Sequence, residues 1–161
     1  MMTKVCRSLS LIAQYFTALA LVLMTIIVIA QVFGRYVLNT SPVWAEQAAL
    51  LLLIWCVFIA AAAGVREGFH IRISVVIELF PPDVYRFVGS VVNVVVAVFG
   101  IAMIIYGAEL AEATRSHVIP TLGVTRSLAY IPIIISGSLV ALFSIERQFT
   151  EVGTEEEQLW S

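Results

Sequence analysis

Charged residues are what this sequence has least of. Asp, Glu, Lys and Arg make up 12% of its 161 residues, whereas 61% are hydrophobic. Soluble globular domains carry about 25% charged residues, so this composition excludes an ordinary soluble domain. Lys and Arg form no run that could follow a phosphate backbone, and a nucleic-acid partner is therefore not expected. The composition predicts a membrane protein in direct contact with the lipid bilayer.

Histidine and cysteine are equally scarce, with two residues of each. A membrane haem site needs axial histidines on facing helices, but His70 and His117 fall in loops on opposite predicted faces. Cys6 and Cys56 are expected at different membrane depths, which argues against a disulfide. No grouping of nucleophile, base and orienting residue is present. We therefore expect no enzymatic activity and no metal or cofactor in this chain.

Four apolar runs are each long enough to cross a bilayer, over residues 9–34, 47–65, 87–108 and 127–145. A spanning segment must satisfy its own backbone hydrogen bonds, so each run predicts a helix. The first run exceeds one crossing and should tilt. It is also longer than the apolar part of a signal peptide and is expected to be retained. The prediction is a single all-α domain over 1–161 with four transmembrane helices.

The cores of these four runs contain no Asp, Glu, Lys, Arg or His. A transporter that moves a charged solute or an ion by itself usually places ionisable groups at mid-membrane. Their absence argues against an autonomous pump, although a stand-alone small four-helix exporter remains an alternative function.

Orientation is predicted from the basic residues of the short loops. Six lie at the face that holds both termini and three lie at the other face: Lys4, Arg7, Arg66, Arg72, Arg86 and Arg147 against Arg35, Arg115 and Arg126. This bias predicts that both termini are cytoplasmic.

The connection between the second and third runs predicts an amphipathic helix over residues 67–80. Its apolar residues recur at helical spacing, and Pro81 and Pro82 would end it. Such a helix is too short and too polar on one side to span, so it should lie in the membrane interface. The alternation of Ile71, Ile73 and Val75 leaves a short strand open as an alternative. The acidic tail, residues 151–161, is expected to be disordered.

Small residues indicate where helices approach closely, because apolar side chains gain little by leaving lipid for one another. The third run carries such a face, and two other runs carry short clusters. The residues are Gly89, Asn93, Val96, Gly100 and Gly107 in the third run, Ala60 to Gly64 in the second, and Ser136, Gly137 and Ser138 in the fourth. Their partners could be helices of this chain or of another protein.

Arg35 and Glu46 fall at one predicted membrane face, on either side of a short turn. They could form an interfacial ion pair. They could also be ordinary boundary charges beside Tyr36 and Trp44, which are typical of the aromatic belt.

Several motifs together resemble the small membrane subunit of tripartite ATP-independent periplasmic (TRAP) transporters, the DctQ-like family. They are Arg35-Tyr36-Val37, Trp44-Ala45-Glu46, Ile54-Trp55, Arg66-Glu67-Gly68-Phe69-His70-Ile71, Pro120-Thr121-Leu122-Gly123 and Leu128-Ala129-Tyr130-Ile131-Pro132. The resemblance covers nearly the whole chain, including its four-helix layout. The sequence departs from the family pattern at Gln47 and Ser74, where acidic residues are common.

The resemblance implies a scaffold subunit in a bacterial inner membrane. Its partners would be a large multi-span subunit, which carries the solute and Na⁺ sites, and a periplasmic solute-binding protein that captures an organic acid. The residues it implies for anchoring or subunit contact are Arg35, Trp44, Glu46, Trp55, Arg66 and His70; no substrate site is implied in this chain. The small subunit of a tricarboxylate-type tripartite transporter is the alternative of the same class.

Overall fold

A computed structural model describes the backbone of residues 2–40, 42–66 and 82–159 and the side chains of 6–40, 42–66 and 89–146. Within these residues the chain forms four α-helices, one two-stranded hairpin and one short 3-10 helix. The α-helices are α1 (Met2–Tyr36), α2 (Val43–Arg66), α3 (Pro82–Ala113) and α4 (Ile131–Leu159). Between α3 and α4 lie β1 (Val118–Ile119), β2 (Val124–Thr125) and the 3-10 helix (Arg126–Ala129).

Four helical stretches are long and apolar enough to cross a membrane, which confirms the predicted fold class. Three lie within α1, α2 and α3, and the fourth begins in the 3-10 helix and continues into α4. These stretches are Cys6–Tyr36, Val43–Arg66, Gly89–Ala113 and Arg126–Glu146. They contain the predicted runs, except for the first two residues of the third. The predicted interfacial helix over 67–80 and its strand alternative lie outside the described residues.

The acidic tail differs from its prediction. The structure continues α4 through the first nine residues of the tail to Leu159, so the expectation of disorder is wrong for 151–159. The physical reason is composition, since glutamate, glutamine and leucine are good helix formers and no proline interrupts them.

The four helices stand in an open row rather than in a closed ring. α1 packs on α2, α2 packs on α4, and α4 packs on α3. α1 meets α4 only over a short stretch, and among the described elements α1 and α3 share no comparable contact. The row therefore runs α1, α2, α4, α3, with α1 and α3 at its two edges.

Small side chains form the seam between α1 and α2. On α1 the buried residues recur at helical spacing, and they are Cys6, Ser10, Ala13 and Ala20. Ala13 forms a buried apolar cluster with Ile59 and Ala63 of α2. Because lipid is as apolar as leucine, helices in a membrane associate by close packing of such small residues. The seam follows from the small-residue spacing on α1.

The seam between α3 and α4 is closer still, because two glycines face each other. A Cβ built on Gly100 would lie 2.9 Å from the Gly137 carbonyl oxygen and 2.9 Å from the Ala141 backbone nitrogen. A Cβ built on Gly137 would lie 2.7 Å from the Gly100 carbonyl oxygen. Gly100 and Gly107 of the predicted small-residue face therefore pack within the chain, against α4, whereas Gly89 of that face has nothing within 4 Å of an added Cβ.

The outer helix surfaces are apolar and open. Only 6% of the most apolar window of α1 is buried, compared with 33% for α4. Exposed side chains on α3 include Val95, Phe99 and Tyr106. Such continuous apolar surface requires either lipid or another protein against it.

A β-hairpin separates α3 from α4. Its antiparallel strands pair Val118 with Thr125 and Ile119 with Val124. The Gly123 N–H donates to the Ile119 carbonyl oxygen at 2.9 Å, and Gly123 has a φ of 67°. That left-handed conformation favours glycine, which explains the residue at this turn.

Candidate functional site at the two ends of the helix row

The polar residues collect at the two ends of the row. We call one the hairpin end; it holds the end of α1 at Tyr36, the start of α2 at Val43, and the β-hairpin. We call the other the Arg66 end; it holds the start of the α1 span at Cys6, the end of α2, and Glu146 of α4. The helix interiors between these ends have none of the five charged or titratable residue types Asp, Glu, Lys, Arg and His.

The hairpin end carries three of the predicted residues, Arg35, Trp44 and Glu46, and all three are exposed. No ion pair joins Arg35 to Glu46, both of which are described. The turn between them is set by the backbone: Asn39 has a φ of 53°, and the Thr40 N–H donates to the Gly34 carbonyl oxygen at 2.9 Å. Both side chains therefore lie exposed at helix ends in the structure.

Trp55 lies in the middle of α2 and joins three parts of the chain. Its indole Nε1–H donates to the Leu128 carbonyl oxygen of the 3-10 helix at 3.2 Å. Its ring lies 5.9 Å from the Phe16 ring of α1, in a tilted arrangement. The indole thus satisfies its polar atom within the chain while its ring packs on α1. In the structure, Trp55 therefore links α2 to α1 and to the 3-10 helix.

Two further side chains of the row bond to helix backbones. The Ser136 hydroxyl of α4 donates to the Phe58 carbonyl oxygen of α2 at 2.7 Å. The Cys56 thiol of α2 donates to the Thr17 carbonyl oxygen of α1 at 3.4 Å. Cys56 and Cys6 are both free and buried. Together with the Trp55 bond, these bonds join α2 to α1, to α4 and to the 3-10 helix.

At the Arg66 end, an ion pair joins α2 to α4. The Arg66 Nε lies 3.5 Å from the Glu146 Oε2, with side chains 25% and 8% exposed, respectively. Arg66 ends α2, while Glu146 closes the membrane-crossing stretch of α4. Withdrawing both charges from water is costly, and each charge makes the burial of the other tolerable.

The third member of this group is Cys6 of α1, which is 1% exposed. Its thiol lies close to the Glu146 carboxylate and within electrostatic range of Arg66. Ser10 and Ser144 are buried nearby in sequence on the same two helices, α1 and α4. Three helices therefore meet at the Arg66 end through polar groups. This arrangement was not predicted from the sequence.

The other ion pair between described residues is exposed. Glu112 in the last turn of α3 and Arg115 just after it lie 3.7 Å apart, each 75% exposed. His117 is also exposed there. Among the described side chains, no three His, Cys, Asp or Glu residues are grouped so that they could hold a metal ion. His70, the remaining predicted residue, lies outside the described part of the chain.

Two features could have been found from the sequence. Glu146 directly follows the fourth apolar run, at the same predicted face as Arg66, so a pair was a reasonable expectation. The sequence Val118-Ile119 followed by four residues ending in Gly123 is typical of a hairpin with a four-residue turn. Glu146 was not considered from the sequence, and Pro120 to Gly123 were used only as a family motif.

The fold and the polar ends define a multi-pass α-helical membrane protein. The profile described as "Tripartite ATP-independent periplasmic transporters, DctQ component" matches residues 24–153. The chain belongs to this family, the small membrane subunits of TRAP transporters. The match is to the DctQ component rather than to the tricarboxylate-type subunit that the sequence had left open.

Curated relatives agree with this family. A putative TRAP transporter small permease protein from Haemophilus influenzae is 22% identical over 152 residues, which are 92% of each chain. The C4-dicarboxylate TRAP transporter small permease protein DctQ from Vibrio cholerae is 28% identical over 94 residues, 58% of this chain but only 40% of that protein. The sialic acid TRAP transporter permease protein SiaT from Haemophilus influenzae is 29% identical over 72 residues, 45% of this chain and 12% of SiaT.

These findings establish a transporter membrane subunit, and the family is not an enzyme family. They also show that the relatives include both small permease proteins and a much longer permease.

Proposed function

We propose that this chain is a stationary scaffold subunit that supports a larger transport subunit and does not itself bind solute. The observation that carries the proposal is the distribution of polar groups. The spanning interiors of the row have no Asp, Glu, Lys, Arg or His, while its outer faces are apolar and open. A protein that moves an ion or a charged solute needs polar groups inside the membrane.

The open row supports a role beside another membrane protein. Few side chains of α1 are buried against the rest of the chain, so most of its surface is open to lipid or to another protein. The α1 span has 31 residues, or about 46 Å of helix, against a hydrocarbon core of about 30 Å. A helix of that length tilts, which widens the surface it offers in the membrane plane. The proposed role is therefore to anchor and widen the fixed part of the transporter.

The proposed principal partner is a large multi-span TRAP permease. Support comes from SiaT, in which a segment similar to 45% of this chain accounts for only 12% of a longer permease. When one polypeptide includes both kinds of sequence, the separate proteins are expected to act side by side. A periplasmic solute-binding protein is the proposed third component, as the family description of periplasmic transporters suggests.

The remaining parts of the proposal concern solute, ion and location. Relatives are named for C4-dicarboxylates and sialic acid, so an organic acid is the proposed solute class. Na⁺ coupling is assigned to the large subunit, and this chain is proposed to hold no cofactor and to have no enzymatic activity. The proposed location is the bacterial inner membrane, with both termini cytoplasmic according to the loop charges.

Affinity purification tests the scaffold role. The full chain, carrying a tag, would be extracted from native membranes in mild detergent and its companions identified by mass spectrometry. We expect a multi-span membrane protein several-fold larger than this chain to co-purify in comparable amount, and an untagged chain to recover none. Purification of the chain alone, or only as copies of itself, would overturn the proposal.

A further inference from the structure

At the Arg66 end, α1, α2 and α4 meet through polar side chains instead of the small apolar contacts found along the rest of the α1–α2 seam. Arg66 comes from α2, Glu146 from α4 and Cys6 from α1. Glu146 is 8% exposed at its side chain and Cys6 is 1% exposed. Here a carboxylate is withdrawn from water at the point where three separate helices converge.

We propose that Cys6, Arg66 and Glu146 form a polar lock that holds the start of α1 against α2 and α4. The term polar lock refers to these three residues below. The lock is a property of this chain and does not depend on the proposed scaffold role. Opening it would release the start of α1 from the row while leaving the middle of the row in place.

The packing around the lock explains why α1 needs it. α1 is an edge helix, and it meets α4 only over a short stretch. The buried α1 residues facing α2 are small, so each contributes little contact area. Lipid can replace such contacts with similar ones, because hydrocarbon chains solvate an apolar helix face. Lipid cannot replace a polar contact in the same way, so loss of the polar contact should weaken the packing of the start of α1.

The charges in the lock are interdependent. If Glu146 is removed, the Arg66 guanidinium loses its partner in a partly buried position, and removal of Arg66 leaves the more deeply buried carboxylate. Either residual charge gains by reaching water. Because buried Cys6 at the start of α1 lies beside both groups, moving α1 away is a route by which water reaches them. Both single substitutions should therefore open the same contact.

The reactivity of the Cys6 thiol reports this opening directly. The full chain would be kept in native membrane vesicles with Cys56→Ser, which leaves Cys6 as the single cysteine and retains a hydrogen-bond donor toward Thr17. N-ethylmaleimide crosses membranes, so the measured rate does not depend on orientation. We expect slow modification in this parent. We expect Arg66→Ala and Glu146→Ala each to raise the rate by about tenfold or more, since reaction follows the open population.

The direction in which each substitution changes the Cys6 modification rate distinguishes opening of the lock from a direct effect of the neighbouring charges on the thiol. A neighbouring guanidinium favours the reactive thiolate and a neighbouring carboxylate disfavours it. Without opening, Arg66→Ala would therefore slow the reaction, whereas Glu146→Ala would speed it. Acceleration by both substitutions supports the lock. Opposite directions, or rates within twofold of the parent for both, would overturn it.

The chain supplies a matched control and a rescue. Glu112→Ala with Arg115→Ala removes an Arg–Glu pair that is exposed and at the other end of the row, and it should leave the Cys6 rate within twofold of the parent. The exchange Arg66→Glu with Glu146→Arg restores opposite charges and should return the rate toward the parent value; a rate as high as that of the single variants would count against the lock. If a single alanine variant fails to accumulate in membranes, Glu146→Gln and Arg66→Lys replace it, with smaller increases expected and the same criteria.

Discussion

The two ends of the helix row use the same residue types in opposite ways. At the Arg66 end, an arginine and a glutamate from different helices are brought together, with the glutamate buried and the arginine partly buried. At the hairpin end, Arg35 and Glu46 are closer in sequence, yet both are exposed, and the structure joins them by no ion pair. Burial decides which charges matter to the fold, and proximity along the chain does not.

This difference has an energetic meaning. An exposed ion pair contributes about 0–1 kcal/mol, because water and salt screen it and two long side chains must be held still. Breaking a buried pair costs several times more, because one charge remains behind without its partner. The two ends should therefore respond very differently to the loss of one charge.

The largest effect is expected at the Arg66 end. Glu146→Ala should lower the free energy of unfolding by about 3 kcal/mol, the lower end for a broken buried pair, because Arg66 keeps some access to water. The measurement is denaturant unfolding of the purified full chain in detergent. The double substitution Arg66→Met with Glu146→Leu leaves no buried charge and should be much less harmful. A double variant that is less stable than Glu146→Ala would contradict this account.

An intermediate effect is expected in the hairpin. Gly123 has a φ of 67°, and an added Cβ would have nothing within 4 Å, so Gly123→Ala adds backbone strain without a steric clash. The free energy of unfolding should fall by about 1 kcal/mol. Gly89→Ala is the matched control, since Gly89 also has nothing within 4 Å of an added Cβ but lies in α3. Equal losses in the two variants would show that the turn conformation is not responsible.

The smallest effect is expected for the exposed charges at the hairpin end. Arg35→Ala and Glu46→Ala should each change the stability of the chain by no more than about 0.5 kcal/mol. The double variant should equal the sum of the two, because independent sites add. A coupling energy well above that size, measured on the same unfolding assay, would mean that the two residues pair in solution and that the two ends are more alike than the structure indicates.

The helices and their close contacts could be predicted to different degrees. Apolar runs predicted the four spans, because crossing a bilayer demands length and hydrophobicity that few other sequences have. The small-residue face of α3 was predicted correctly in part, since Gly100 and Gly107 pack closely and Asn93 is buried, but Gly89 makes no close contact. The helix that packs against this face was not predicted. Gly100 of α3 packs on Gly137 of α4, and the residue spacing within one helix does not show which other helix it will meet.

The site was harder to predict than the fold. Glu146 stands at the end of an apolar run, where a carboxylate usually faces water, and its burial depends on α1 and α2 arriving at the same place. Trp55 was expected to contact another subunit or to anchor the chain. In the structure its indole donates to the Leu128 carbonyl oxygen, and this bond depends on a 3-10 helix that was not predicted from the sequence. The contacts of both residues come from segments that are distant in the sequence, and local sequence patterns do not reveal such contacts.

The facing glycines of α3 and α4 limit how this chain can change. The groups nearest to an added Cβ at Gly100 are backbone atoms of α4, and the residue opposite is already the smallest one available. A larger residue at either position therefore has no second-site suppressor that works by trimming a side chain. A compensating change must shift one whole helix along or away from the other, so genetic suppressors should map to residues that set the position of the α3–α4 pair rather than to the crossing itself.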